Sequence, residues 1–121
     1  MKMIFDELLE FQREFKKLEK KYKSLPDDFG QFCRVVEDDP DGKNKKHFST
    51  LFHDEYVRVV KARFFCLYLK RSSLRIVYAY AESEDRVDFI ELYYKGDKEN
   101  EDGERVERYL KERVAVSSGM V

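Results

Sequence analysis

Along the first part of the chain the apolar residues Phe5, Leu8, Leu9, Phe11, Phe15, Leu18 and Tyr22 recur at steps of mostly three and four. That spacing lines one face of an α-helix, with Lys and Glu on the other, and predicts an amphipathic helix over residues 4–23. The opening residues 2–5 also suit a short edge strand. Ser24 stands where a helix N-cap is expected, because its hydroxyl can accept from a free backbone N–H. Pro26 and Asp27 fit the first turn behind it. A second helix is predicted over residues 25–37, with Phe29, Phe32, Val35 and Val36 as its apolar stripe. Asp38, Asp39, Pro40, Asp41 and Gly42 end it in a loop, and the two helices form a hairpin.

Residues 43–55 form a basic, polar connector with no clear period. The pattern then becomes strand-like. Residues 56–69 are rich in Val, Phe and Tyr, with Lys61, Arg63 and Phe65 pointing one way and Val60, Ala62, Phe64 and Cys66 the other. Polar turns at 70–73 and 82–85 separate this strand from two more, at 74–81 and 86–94. Short polar turns make hairpins, hence antiparallel pairing. After Gly96, the residues Asn100, Asp102 and Glu104 precede Val106, Tyr109 and Leu110. Acidic residues before an apolar helical pattern mark a helix start, where they meet the positive end of the dipole. This helix is expected to run to about Arg113, with the tail 116–121 frayed. Helices followed by strands predict an α+β domain: an N-terminal helical hairpin, an antiparallel sheet of three to four strands with helices mainly on one face, and a C-terminal helix.

Composition narrows the class. A chain of 121 residues fits a single domain over 1–121. A hydrophobic share of 42% with 15% aromatics argues against disorder, and 10 Phe and 8 Tyr predict an aromatic core. No apolar run approaches the ~20 residues of a membrane helix. Charges at Lys2 and Asp6 leave no signal-peptide layout, so a cytoplasmic protein with no membrane partner is expected. Cys33 and Cys66 form no CxxC motif and are expected as reduced thiols packed as small hydrophobes. A metal site from Cys33, Cys66, His47 and His53 would match no familiar ligand spacing, so neither metal nor cofactor is expected.

The net charge of −1 hides a strong asymmetry. From residue 43 to 75 there are nine basic residues (Lys43, Lys45, Lys46, Arg58, Lys61, Arg63, Lys70, Arg71, Arg75) and two acidic ones (Asp54, Glu55), a charge of +7. From residue 82 to 108 there are eleven acidic and five basic residues, a charge of −6. A local basic surface can therefore exist in a slightly acidic protein. Basic residues at alternate strand positions also fit a plain solvated sheet face. His47 and His53 are of the residue type that exchanges protons near neutral pH.

Three stretches carry a resemblance. They are Val-Lys-Ala-Arg-Phe at 60–64, Leu-Arg-Ile-Val-Tyr at 74–78, and Phe-Ile-Glu-Leu-Tyr-Tyr-Lys-Gly-Asp-Lys-Glu-Asn-Glu-Asp at 89–102. Together with Phe15-Lys16-Lys17-Leu18 and Tyr22 in the hairpin, their order and spacing resemble the RelE/ParE superfamily of toxin–antitoxin modules over residues 5–113. The resemblance implies a toxin neutralised by a cognate antitoxin protein. RelE-like members cut messenger RNA on the ribosome without a metal, as metal-independent endoribonucleases that inhibit translation. ParE-like members act on DNA gyrase instead. Matched residue by residue, the resemblance implies catalytic roles for Arg63, Arg75, Lys95 and Lys98. It implies phosphate contacts for Lys61, Lys70 and Arg71, since guanidinium and ammonium groups suit phosphate. The C-terminal acid/base residue of several RNase members has no clear match, and Tyr109 is the nearest candidate.

Overall fold

The most apolar stretches of the chain become the middle of a sheet. The computed structural model describes residues 2–43, 45–69 and 74–119, with side chains to residue 113. Its elements, in chain order, are β1 (Ile4–Glu7), α1 (Leu9–Glu19), α2 (Leu25–Asp38), β2 (Phe48–His53), β3 (Arg58–Phe64), β4 (Leu74–Ala81), β5 (Arg86–Tyr94) and α3 (Gly103–Gly119). A short 3-10 turn, Glu82–Glu84, links β4 to β5. The strands lie in the order β1-β5-β4-β3-β2. β4, at the centre, is buried on both faces, as its run of Leu, Ile, Val, Tyr and Ala requires.

The α+β class, the helical hairpin and the C-terminal helix are as expected. The sheet differs in two ways. It has five described strands, and it is mixed, because β1 pairs parallel to β5 while the other neighbours are antiparallel. Residues 4–7 leave the predicted helix because β5 offers them an open edge. Ile4 donates to the carbonyl of Asp85 at 2.8 Å, and Leu8 closes the ladder on Phe89 at 3.0 Å. Phe5 stacks on Phe89 with centroids 5.9 Å apart. Strand pairing thus overrides the helical spacing that Phe5 also satisfies. The second addition is β2, which forms inside the polar connector. It pairs with β3 through a bulge between Thr50 and Phe52, so its alternation is broken. The turn before it needs Gly42, which has a φ of 61° and lies so close to Phe48 that a Cβ would sit 2.7 Å from that ring.

Helices cover both sides of the sheet. On one side α1 and α2 bury Phe11, Leu18, Leu25, Phe32 and Val36 against Val60, Ala62, Phe64, Ile76, Tyr78 and Phe89. Aromatic rings dominate this layer. Phe89 meets Phe11 at 5.5 Å and Phe29 at 4.9 Å, and Phe32 meets Phe64 at 5.5 Å. The Tyr78 hydroxyl donates to the Pro40 carbonyl at 2.7 Å, which ties the end of α2 to the core. On the opposite side α3 lays Val106 and Tyr109 on Val57, Val59, Val77, Ala79 and Ile90. The helix begins at the cap Asp102, whose carboxylate accepts from the Arg105 N–H at 3.1 Å. It continues past the expected end at Arg113, to Gly119.

Ser24 does not cap α2: no side-chain cap bond forms. Its hydroxyl donates to Asp28 at 2.7 Å and accepts from the Tyr68 N–H at 3.3 Å, while Asp28 also accepts from the Leu67 N–H at 2.9 Å. These two polar residues therefore hold the loop that follows β3, which is where the predicted strand over 56–69 ends early.

β1 is shorter than β5, so among the described residues the edge of β5 beyond Phe89 has no strand partner. Glu14 and Arg105 fill that gap. Glu14 accepts from the Leu92 N–H at 3.1 Å, and Arg105 donates to the Ile90 carbonyl at 3.0 Å. The two side chains meet in a paired bond of 2.9 and 3.0 Å. One ion pair thus satisfies a sheet edge and ties α1 to α3. Arg105→Ala is expected to cost about 2–3 kcal/mol of folding stability in urea titrations, since it leaves a carboxylate and a carbonyl short of a donor. Glu14→Ala should cost a similar amount, and the double variant clearly less than the sum. Simple additivity would contradict the shared role.

Candidate functional site

The face of the sheet that carries α3 changes character along its length. Just before and along β3 the outward positions run Val57, Val59, Lys61, Arg63, and on β4 they run Ala79, Val77, Arg75. The apolar end lies beneath α3, and the basic end is open. Strand register sets the basic residues in rows. Ser49, Lys61, Val77 and Glu91 lie side by side across β2, β3, β4 and β5, and Arg63, Arg75 and Tyr93 form the next row. The backbone of Arg63 also donates to the His47 carbonyl at 3.1 Å, extending that row to the chain before β2.

The result is a shallow concavity of about 230 Å³ lined by Lys46, His47, Ser49, Lys61, Arg63, Arg75 and Lys95. None of these described lining residues is acidic. Arg63 sits directly across from Arg75, a like-charge cross-strand pair that costs roughly 0.2–1 kcal/mol. Burial, and then the charge of Arg63, hold the Arg75 guanidinium below its ordinary range. The Lys61 ammonium meets the Glu101 carboxylate at 2.8 Å. Burial pushes the Glu101 carboxyl up, but the bond from Lys61, a backbone N–H and the charges of Lys61 and Lys98 outweigh it, so the net shift is downward. The acidic stretch before α3 therefore neutralises one edge of the cleft and leaves Lys46, Arg63 and Lys95 exposed.

Four of the predicted residues, Lys61, Arg63, Arg75 and Lys95, come together here. Lys98 does not join them. Its ammonium pairs with the fully buried Glu91 and lies 5.1 Å from the centre of the Tyr93 ring. Glu91 needs that cation: its other oxygen accepts from the Asp102 N–H at 2.8 Å. Lys70 and Arg71 fall outside the described residues. Tyr109 is a core residue. Its hydroxyl donates to Asp88, and burial, followed by that bond, pushes its pKa well up. Asp88 stands five residues before Tyr93 on the same strand, roughly 15 Å from the basic row. His53 stacks its nitrogens 3.2 and 3.3 Å from the Arg58 guanidinium, at the far end of β2 from His47. Cys66 is buried beside Ser24, and among the described residues no three metal-ligating side chains gather.

The cleft also contains Lys46 and Ser49, and it gives a place to His47. All three belong to the connector whose strand was not evident. Tyr93 ends the basic row. Its hydroxyl is buried without a hydrogen-bond partner among the described residues and is pushed up to about 12, by burial first and then by Glu101 and Glu91.

No protein-family model matches this chain, and no curated protein matches it in sequence. In structure it is similar to a chain of the archaeal RelE–RelB complex from Pyrococcus horikoshii OT3. The identity is 15%, the match covers 81% of this chain and 100% of that one, and the TM-score is 0.60. The fold is RelE-like.

The crowded arginines predict an anion-dependent stability. Inorganic phosphate should raise the melting temperature by a few degrees relative to chloride at equal ionic strength, because an anion between Arg63 and its neighbours binds only the folded state. Arg63→Ala should remove most of that rise. An equal rise in the variant would mean that phosphate acts only by general exclusion from the surface.

Proposed function

We propose that this chain is the toxin of a toxin–antitoxin module, held in check by a cognate antitoxin protein, and that it cleaves messenger RNA on the ribosome in the cytoplasm. The observation that carries this reading is the basic cleft lined by Lys46, Lys61, Arg63, Arg75 and Lys95 on a RelE-like sheet. Paired guanidinium groups suit the non-bridging oxygens of a phosphodiester. In the proposed reaction the RNA 2′-oxygen attacks the adjacent phosphorus. A bond from phosphorus to that oxygen forms, the bond to the 5′-oxygen breaks, and a cyclic phosphate and a free 5′-hydroxyl result. Arg63 and Arg75 stabilise the extra negative charge of the phosphorane. Lys61 and Lys95 orient the strand. His47, an imidazole on the cleft wall, is of the type that can take the 2′ proton and return one to the leaving oxygen. No metal or other cofactor takes part in the proposed reaction. Lys98, though proposed from the resemblance as catalytic, supports the site through Glu91.

One observation favours a second reading, in which the protein acts by binding DNA gyrase or is an inactive antitoxin-binding module. Tyr109, the nearest C-terminal acid/base candidate, is locked in the core by Asp88. Induced expression with mapping of mRNA 5′ ends and of DNA supercoiling separates these readings. Growth arrest with cut mRNA is expected, and Arg63→Ala or Arg75→Ala should lower cleavage about 100-fold or more. Arrest with intact mRNA and trapped gyrase, or no arrest at all, would reject the nuclease.

A further inference from the structure

The loop that follows β3 is held from inside and apolar outside. Cys66 is fully buried, and the backbone N–H groups of Leu67 and Tyr68 are fixed by Asp28 and Ser24. The Leu69 N–H closes the turn on the Cys66 carbonyl at 3.0 Å. Yet Phe65, Leu67 and Tyr68 are 60%, 66% and 58% exposed, among the most open large apolar side chains in the described protein. A pinned loop that displays aromatic rings to water has not been left open by slack in the backbone.

The position of Phe65 gives that exposure a direction. Burial alternates through the end of β3 and two residues beyond: Arg63 exposed, Phe64 buried, Phe65 exposed, Cys66 buried. Phe64 and Cys66 pack into the layer beneath α1 and α2. The alternation continues past the end of β3, so Phe65 falls on the other side, the side of Lys61 and Arg63, one residue beyond the strand and two beyond Arg63. An aromatic ring beside a cluster of cations is the arrangement that holds single-stranded nucleic acid: charge takes the phosphate and the ring takes the base. A cation cluster of this density argues for a polyanion as the occupant rather than an apolar protein segment.

We infer that Phe65 is a stacking platform for a base of single-stranded RNA whose neighbouring phosphate lies between Arg63 and Arg75. This inference rests on the proposed RNA site and adds to it a residue that positions the strand. Stacking tolerates any base, so Phe65 sets the register of the strand more than its sequence.

The chain contains no tryptophan, which makes a clean optical test. In Phe65→Trp the introduced indole is the sole fluorophore of its kind. Its emission should be quenched by a short single-stranded oligoribonucleotide and not by an abasic oligomer of the same length or by inorganic polyphosphate. Phe65→Ala should weaken oligoribonucleotide binding about tenfold and leave polyphosphate binding unchanged. Circular dichroism checks that both variants keep the fold. If Arg63→Ala weakens RNA binding while Phe65→Ala does not and no quenching occurs, the platform is rejected and the basic site stands. If Arg63→Ala has no effect on RNA binding, the RNA site is rejected and the platform with it. Unchanged RNA affinity in Phe65→Ala, with loss of antitoxin binding by the same variant, would assign the loop to a protein partner and overturn the inference.

Discussion

The central strands β3 and β4 are paired on both edges, so each presents two faces, and α1, α2 and α3 cover only part of that surface. One face lies beneath α1 and α2. The other is covered by α3 at one end only. A strand position with no helix above it cannot remain apolar without exposing a patch to water. The residues follow this constraint: Val57, Val59, Val77 and Ala79 where α3 lies, then Lys61, Arg63 and Arg75 where it does not. The basic cleft is therefore part of the fold's own arithmetic of coverage, and its charges gather because strand register brings them together.

That gathering needs compensation, and the acidic stretch between β5 and α3 provides it. Glu101 takes Lys61, Glu91 takes Lys98, and Asp102 caps the helix while donating its own N–H to Glu91. On the far side of β5, Glu14 and Arg105 close the edge that β1 is too short to reach. The near-zero net charge is thus a sum over opposed surfaces. Among the described residues this compensation stops short of Arg63, which stays exposed beside Arg75, and that is the place where an external anion gains most.

The sequence made the central strands legible. Residues 74–81 and 86–94 carry apolar runs bounded by polar turns, and their bounds match β4 and β5. The alternation at 60–66 assigned faces correctly, so Arg63 and Lys61 were visible as one side of a strand. β2 was hidden because Phe48-Ser-Thr-Leu-Phe-His is half exposed and its bulge breaks the period. With it were hidden Lys46 and Ser49, and the position of His47. β1 was legible only as an alternative, a short edge strand over 2–5, because Phe5 fits both helix spacing and the stack on Phe89. The fates of Lys98 and Tyr109 turn on long-range partners, Glu91 and Asp88, which local patterns do not reveal. Ser24 looked like a cap because only the folded loop brings Tyr68 to its hydroxyl.

The central claim is that the open end of the α3 face binds a phosphodiester backbone through Arg63 and Arg75. The salt dependence of binding to a single-stranded oligoribonucleotide tests it most directly, because each phosphate contact releases counterions. The slope of log K against log salt should fall in magnitude by about 0.7 for each contact removed by Arg63→Ala or Arg75→Ala. A slope that stays at the wild-type value in both variants would contradict the claim.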